Sequence, residues 1–139
     1  MDERTEVIVD RVELLSPSAL PAPVGYSHVA SIPAGSRLVW TAGQVPIDAD
    51  GAVPDGWEGQ TRLAFRNVGT ALAAAGAGWP DVCKLTIFVT DVAELATIRA
   101  VRDEFVDTER PPTSSLVRVA GLFRSDLLIE IEAVAAIVA

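Results

Sequence analysis

A strict alternation of side-chain types near the C-terminus constrains the fold more than any other feature of the chain. Between residues 127 and 138 every second position is aliphatic, at Leu127, Ile129, Ile131, Ala133 and Ala135. The intervening positions include Glu130 and Glu132. Successive side chains of a β-strand point to opposite faces of the sheet, so the pattern predicts a strand with one buried face.

The rest of the chain divides into further strands and two helices, in the order βββαβαββ. Strands are predicted in an N-terminal segment (6–9 and Leu14–Leu15) and at Gly25–Ile32, Arg37–Gln44, Val82–Val89, Ser114–Ala120 and Leu127–Val138. The second and third are expected to form a hairpin. Helices are predicted at Gln60–Ala75 and, with Asp91 as cap, at Ala93–Val106, whose otherwise apolar stripe includes Arg102. We expect a single domain over residues 1–139, an α/β (α+β) arrangement with a mixed sheet of about five or six strands.

Two helices can cover only one face of such a sheet, so the other face is informative. Alternation assigns Ser114, Leu116 and Arg118 to that uncovered face, together with Lys84, Phe88, Leu128, Glu130, Glu132 and Val134. The acidic and basic members would form ion pairs. The apolar members favour an interface between subunits, with clefts, over a solvated surface.

The charge and the cysteine count narrow the class of protein. A formal net charge of −8, without any basic run, argues against a nucleic-acid partner, because such proteins place Lys and Arg on phosphates. The single Cys83 excludes an internal disulfide and favours a reducing compartment. The acidic N-terminus does not resemble a secretory signal, and no apolar run approaches the roughly 20 residues of a membrane span. The sequence therefore predicts a soluble, cytoplasmic protein without a membrane partner.

Six short motifs occur in order along most of the chain. They are Gly25-Tyr26-Ser27-His28, Thr41-Ala42-Gly43-Gln44-Val45-Pro46, Gln60-Thr61 with Asn67, the strand Val82–Val89 with Thr90-Asp91, Pro111-Pro112-Thr113-Ser114-Ser115, and Ile129-Glu130-Ile131-Glu132-Ala133-Val134-Ala135. With this order and spacing the chain closely resembles the Rid (RidA/YjgF) family. The resemblance implies a chorismate-mutase-like fold, a homotrimer and clefts between subunits that bind a small molecule.

Deaminating members of that family hydrolyse 2-imino or enamine acids without a metal or an organic cofactor, so none is expected here. The resemblance gives Glu130 the role of the catalytic carboxylate that positions water, and Tyr26 that of a residue shaping the pocket. Ala42 and Gly43 occupy the positions of the family's Ser-Gly pair, and are expected to bind substrate with Ser114, Leu116 and Arg99.

Ser114 is the main departure from the family, because deaminating members carry there the arginine that grips the substrate carboxylate. A hydroxyl cannot replace a planar, bidentate guanidinium. Arg118 is about 13 Å along the strand, too far for direct replacement. Arg99, where members often have asparagine, and Arg124 are the candidates for a relocated clamp. Leu116, where a small residue is common, narrows the pocket further.

Other chemistries have weaker support in the sequence. His28 is the only histidine, so a zinc site is not expected, and a hydrogen-bonded structural role is favoured over catalysis. Ser114 and Ser115 lack a nucleophile-elbow motif, and Cys83 is expected to be a buried apolar residue. Three functions stay open: hydrolysis of a C–N bond in an imine or enamine, non-catalytic binding of a metabolite or a chaperone-like role, and, least favoured, endoribonuclease activity. Without a replacement arginine, 2-iminopropanoate should be hydrolysed no faster than in buffer.

Overall fold

The order of strands and helices along the chain confirms the βββαβαββ prediction. The structure is a computed structural model and describes residues 10–139. Its strands are β1 (Glu13–Leu15), β2 (Val29–Ser31), β3 (Arg37–Trp40), β4 (Val82–Val89), β5 (Thr113–Arg118) and β6 (Ile129–Ile137). The helices are α1 (Gly56–Ala74) and α2 (Leu95–Arg102), with a short 3-10 turn at Trp79–Asp81. Residues 6–9 of the predicted first strand lie outside the described residues.

The main sheet has four strands in the order β3-β6-β4-β5. It is mixed, because β5 runs parallel to β4 while the other pairs are antiparallel. The strands β1 and β2 form a separate antiparallel pair. The predicted hairpin of β2 with β3, and the single sheet of five or six strands, are therefore wrong. Although β3 follows β2 directly along the chain, it pairs with the long strand β6 instead, over its whole length of Arg37–Trp40.

Both helices pack on the same side of the main sheet, which we call the helix-covered face. From α1, Phe65, Val68 and Leu72 are fully buried against the alternate residues Ile129 and Ile131 of β6. Burying an aliphatic or aromatic side chain contributes roughly 1.5–3 kcal/mol, so this layer supplies most of the stabilisation of the sheet. Neither helix of the described chain is long and apolar enough to cross a membrane.

The register of β5 corrects the expected positions of three residues. Ser114, Leu116 and Arg118 stand beside Leu85, Ile87 and Val89 of β4, which point into the core. Neighbouring residues of paired strands share a face, so Ser114, Leu116 and Arg118 lie on the helix-covered face. The prediction that placed them on the uncovered face is wrong. Alternation could not show which face of β5 is buried, because Leu116 and Val117 give this strand an apolar residue on each face.

The other side of the sheet, the open face, carries Glu130 and Glu132 of β6 beside Phe88 and Thr86 of β4. It also exposes large apolar side chains. Trp40 is 68% exposed and Val117 is 44% exposed. Isolated exposed apolar residues are ordinary, but a group on one flat sheet is typical of a surface that binds another protein.

The helices begin and end at positions that differ from the prediction. α1 starts four residues earlier, after a left-handed turn at Gly56 (φ +79°), and Gly76 (φ +77°) follows its end. α2 is shorter than predicted. The carboxylate of Asp91 accepts a hydrogen bond from the backbone N–H of Ala93 at 2.8 Å and closes a turn before the helix, which begins only at Leu95.

Two amides of α1 connect distant segments to the helix. The Gln60 amide donates to the carbonyls of Pro54 (3.1 Å) and Asp126 (2.8 Å) and accepts from the N–H of Leu128 (2.8 Å). The Asn67 amide donates to the carbonyl of Val45 (2.9 Å) and to that of Ile47. The Gln-Thr-x-x-x-x-x-Asn motif therefore fixes the loop before α1 and the chain leading into β6.

We predict that Gln60→Leu lowers the free energy of unfolding by about 1–3 kcal/mol, because three partly buried backbone groups lose their partner. Chemical denaturation measures the change. Thr70→Ala is the control on the same helix, since the exposed Thr70 hydroxyl bonds only to the carbonyl one turn before it, and it should change stability by less than about 0.5 kcal/mol. Equal effects of both variants would contradict the assigned role of Gln60.

We predict the opposite sign for Thr61→Val. Thr61 is fully buried, and among the described residues its hydroxyl has no hydrogen-bond partner. Valine has nearly the same shape and removes the desolvation cost of an unsatisfied hydroxyl, so the protein should gain about 1 kcal/mol. A rise in denaturation midpoint without a change in slope is the expected result. A loss of more than about 1 kcal/mol would show that the hydroxyl has a stabilising contact.

Candidate functional site

Four of the predicted binding residues line one cavity on the helix-covered face. Tyr26, Arg99, Ser114 and Leu116 meet around a space of about 120 Å³. The remaining wall is formed by Arg102 and by the aliphatic side chains of Val24, Ile87, Leu95 and Ile98. The cavity therefore joins the loop before β2, the second helix and the start of β5.

The segment that carries Tyr26 is fixed to β5 by its neighbour, Ser27. The Ser27 hydroxyl donates to the carbonyl of Pro111 at 2.7 Å, and its N–H donates to the carbonyl of Pro112 at 3.1 Å. The hydroxyl of Thr113 in turn donates to the carbonyl of Cys83 in β4 at 2.7 Å. Ser27 and Thr113 also form an isolated parallel β-bridge, so the Tyr26 loop is joined to the start of β5 by backbone pairing as well as by the Ser27 hydroxyl.

His28 lies beside the tyrosine in a satisfied position. Its ring makes an edge-on contact with Tyr26, with centroids 5.2 Å apart, and its Nε2 is 2.7 Å from the carbonyl oxygen of Pro21. This is the hydrogen-bonded structural arrangement that the sequence favoured over a catalytic one.

Arg102 is a lining residue that the sequence analysis treated only as part of the α2 stripe. It is 7% exposed, and its guanidinium forms an ion pair with Asp103 at 3.0 Å. The signal was present in the sequence, because an arginine within an apolar helix stripe must bring its charge into the protein. The sequence could not show that the Arg102 side chain lies at the wall of a cavity.

Glu130, the predicted catalytic carboxylate, lies elsewhere. It is on the open face, with its carboxylate against Gly43; a Cβ on Gly43 would be 2.6 Å from Oε2. Thr41 and Gln44 pair with Ala133 and Ile131 of β6, which leaves Ala42 and Gly43 together opposite one residue. Such a bulge changes the direction of the strand, and here it brings a backbone without side chain up to the carboxylate.

The predicted site residues thus form two groups on opposite faces of one sheet. Tyr26, Arg99, Ser114 and Leu116 belong to the cavity on the helix-covered face, and Glu130, Gly43 and Ala42 belong to the open face. A sheet lies between the two groups. One chain therefore does not present Glu130 to its own cavity.

The two other arginines considered for the missing clamp are outside the cavity. Arg124 is held by Asp126, with Nη2 2.6 Å from Oδ2, and this hydrogen bond lowers the pKa of the exposed Asp126 carboxyl. Arg118 donates from Nε to the carbonyl of Thr90 at 3.4 Å. Across residues 10–139, Glu130 and Glu132 take part in no ion pair, so the expected pairs with Arg118 and Lys84 are absent there.

Cys83 is buried, as predicted, at an irregularity in the pairing of β4 with β6. Its thiol lies 3.3 Å from the carbonyl oxygen of Val134. Removal from water raises the pKa of the thiol, which makes Cys83 a poor nucleophile at neutral pH. No cluster of His, Cys, Asp and Glu suited to a metal ion occurs in the part of the chain that the structure describes.

A larger cavity, of about 380 Å³, lies between β1 and the 3-10 turn and is lined by Leu14, Trp79, Phe105 and Arg110 among others. None of the predicted site residues lines it. Size alone does not identify a binding site, so the smaller cavity, where residues from three predicted motifs and α2 converge, is the better candidate.

Comparison with known proteins identifies the family of the chain. The family model described as Endoribonuclease L-PSP matches residues 16–137. The 2-iminobutanoate/2-iminopropanoate deaminase of Salmonella typhimurium is 37% identical over 118 residues, covering 83% of this chain and 90% of the relative.

Solved structures give the same result. A Rid-family protein of unknown function from Yersinia pestis, YyfB, superposes with a TM-score of 0.80 at 32% identity and covers 91% of this chain and 99% of its own. TdcF of Escherichia coli, with bound serine, has a TM-score of 0.66 at 36% identity and covers 90% and 96%. The motifs, the fold and these matches together establish that the chain belongs to the Rid family, whose members the Endoribonuclease L-PSP model describes.

Proposed function

We propose that this protein is a cytoplasmic homotrimer that hydrolyses a small 2-imino acid, or its enamine tautomer, to a 2-oxo acid and ammonia. The observation that carries the proposal is the division of the site between the two faces of the sheet. A cavity with a tyrosine and arginines on one face, and a carboxylate held by a glycine on the other, become one site only when two chains meet.

The open face is suited to such a meeting. It carries exposed Trp40 and Val117, and half-buried Phe88 and Val134, around Glu130. Burying these apolar groups against a second chain would stabilise the assembly at about 25 cal/mol per Å². In this arrangement the open face of one subunit brings its Glu130 to the cavity of the next.

In the proposed reaction a water molecule attacks the imine carbon. Glu130 holds the water by accepting a hydrogen bond from it and takes up its proton as the new C–O bond forms, which gives a carbinolamine. Glu130 then returns that proton to the nitrogen and takes up the proton of the hydroxyl group as the C–N bond breaks, so that the carbonyl forms and ammonia leaves. Tyr26 and Leu116 shape the pocket around the substrate, and orientation of water and substrate supplies much of the acceleration.

The relatives support this reaction class. The Salmonella relative is named as a deaminase of 2-iminobutanoate and 2-iminopropanoate, and the Escherichia coli relative binds serine, a small amino acid. The sequence alone predicts no acceleration, because Ser114 replaces the carboxylate clamp. The cavity contains two other arginines, Arg99 and Arg102, that can bind the substrate carboxylate in its place, so we expect acceleration after all. Ribonuclease activity has less support, since the net charge of −8 opposes a polyanion.

We predict that the purified protein accelerates the hydrolysis of freshly generated 2-iminobutanoate, followed as loss of its ultraviolet absorbance. Glu130→Gln should lower the rate by at least about 100-fold, as loss of a general base does. Glu132→Gln is the matched control, because this carboxylate lies on the same face of β6 and has no assigned role. A rate equal to that in buffer, with ligand binding retained, would favour the non-catalytic binder instead.

We predict that Gly43→Ala lowers kcat about 10- to 100-fold with little loss of stability. The added methyl group meets the end of the flexible Glu130 side chain, which can move away at small cost but then no longer holds the water in place. Gly121→Ala is the control, since nothing lies within 4 Å of a Cβ there. Unchanged kcat in Gly43→Ala would show that the position of Glu130 is not critical.

A further inference from the structure

The guanidinium of Arg102 is the most unusual charged group of the molecule. Its side chain is 9% exposed, and within residues 10–139 its one side-chain hydrogen bond runs from Nε to Oδ1 of Asp103 (3.1 Å), with Nη2 in ion-pair contact with the same oxygen (3.0 Å). A guanidinium presents a planar fork of N–H donors, and one oxygen cannot satisfy all of them. Among the described residues only the Thr61 hydroxyl is fully buried without a partner, so the remaining N–H groups of Arg102 are accessible and available to an acceptor that enters the cavity.

The position of this guanidinium is fixed by a glycine. A Cβ built on Gly25 would lie 2.6 Å from Cζ of Arg102, closer than non-bonded atoms approach. Gly25 also has φ +75°, a left-handed conformation that suits glycine. The backbone before Tyr26 therefore leaves a space that the Arg102 side chain fills, and the guanidinium is held at the cavity rather than in solvent.

The surroundings of the cavity favour an anion. Its nine lining residues include two arginines, Arg99 and Arg102, and no carboxylate, although the whole chain carries a net charge of −8. Aliphatic walls, among them Ile87 and Leu116, lower the local polarity and strengthen the attraction between a guanidinium and a bound anion. A volume of about 120 Å³ equals roughly four water molecules, which is the size of a small organic acid.

We infer that Arg102 is the carboxylate anchor of this site, carried by α2 and held on Gly25, in place of the strand arginine that Ser114 has replaced. This inference rests on the proposed function for the identity of the ligand, a short 2-oxo or 2-imino acid. It assigns the anchoring role to Arg102 and not to Arg99 or Arg124, because Arg102 is buried in the cavity wall, whereas Arg99 is exposed and Arg124 is paired with Asp126 outside the cavity.

Binding of a stable acid tests the assignment without reference to catalysis. The probes are 2-oxobutanoate and its neutral analogue 2-oxobutanamide, and Kd values come from NMR titration of the whole protein. The wild type should prefer the acid by about 10- to 100-fold, the value of a charge-assisted pair. Arg102→Gln should abolish that preference, and Arg102→Lys should restore part of it. Arg99→Gln should keep most of it.

A second pair of variants leaves Arg102 intact. Gly25→Ala pushes the guanidinium away and should reduce the preference for the acid nearly as much as Arg102→Gln does. Gly51→Ala is the control, because Gly51 has a similar left-handed φ of +86° but open space around its Cβ. The Gly51→Ala variant introduces similar backbone strain and should leave the preference for the acid over the amide unchanged. Thermal unfolding midpoints of all variants separate loss of folding from loss of the anchor.

Three results would overturn the inference. They are equal affinity of the wild type for acid and amide, loss of the preference in Arg99→Gln with its retention in Arg102→Gln, and retention in Gly25→Ala. Failure of the proposed function is a different outcome. In that case the protein does not accelerate imine hydrolysis but still binds the acid through Arg102, which leaves this assignment standing.

Discussion

The pairing of β6 with two other strands is the constraint on which the rest of the structure depends. This last strand lies between β3 and β4, and its alternate residues serve two purposes. Ile129, Ile131, Ala133 and Ala135 form the base of the core below the helices, while Glu130, Glu132 and Val134 point away from it. A shift of the register by one residue would exchange these sets and bury two carboxylates, so the strand has one acceptable position.

The same alternation explains why the site is divided. The helix-covered side of the sheet has a small cavity with apolar walls and a buried guanidinium. The open side has a carboxylate next to a bulged strand. Within one chain the sheet therefore keeps the Glu130 carboxylate away from the Arg102 guanidinium, whose charge is balanced by its neighbour Asp103 instead.

Much of this could be predicted from the sequence, because periodicity is local. The element order and the apolar side of β6 followed from alternation, and four of the nine residues around the cavity followed from motif resemblance. The hairpin prediction was wrong because pairing partners are chosen by burial across the whole chain, and the faces of β5 were wrong because Leu116 and Val117 are both apolar. Arg102 was recognised as part of the helix stripe, but its role depends on Gly25, more than 70 residues earlier, and no pattern along the chain connects them.

The contact between Gly25 and Arg102 has a consequence for how this chain can change. While the Arg102 guanidinium fills the space beside the left-handed Gly25, any side chain at position 25 would collide with it, so another residue there requires a shorter side chain at position 102. An arginine at position 114 would now enter a cavity that already holds two cations and the bulk of Leu116. The effect of a substitution at position 114 therefore depends on the residues at 99, 102 and 116, which line the same cavity.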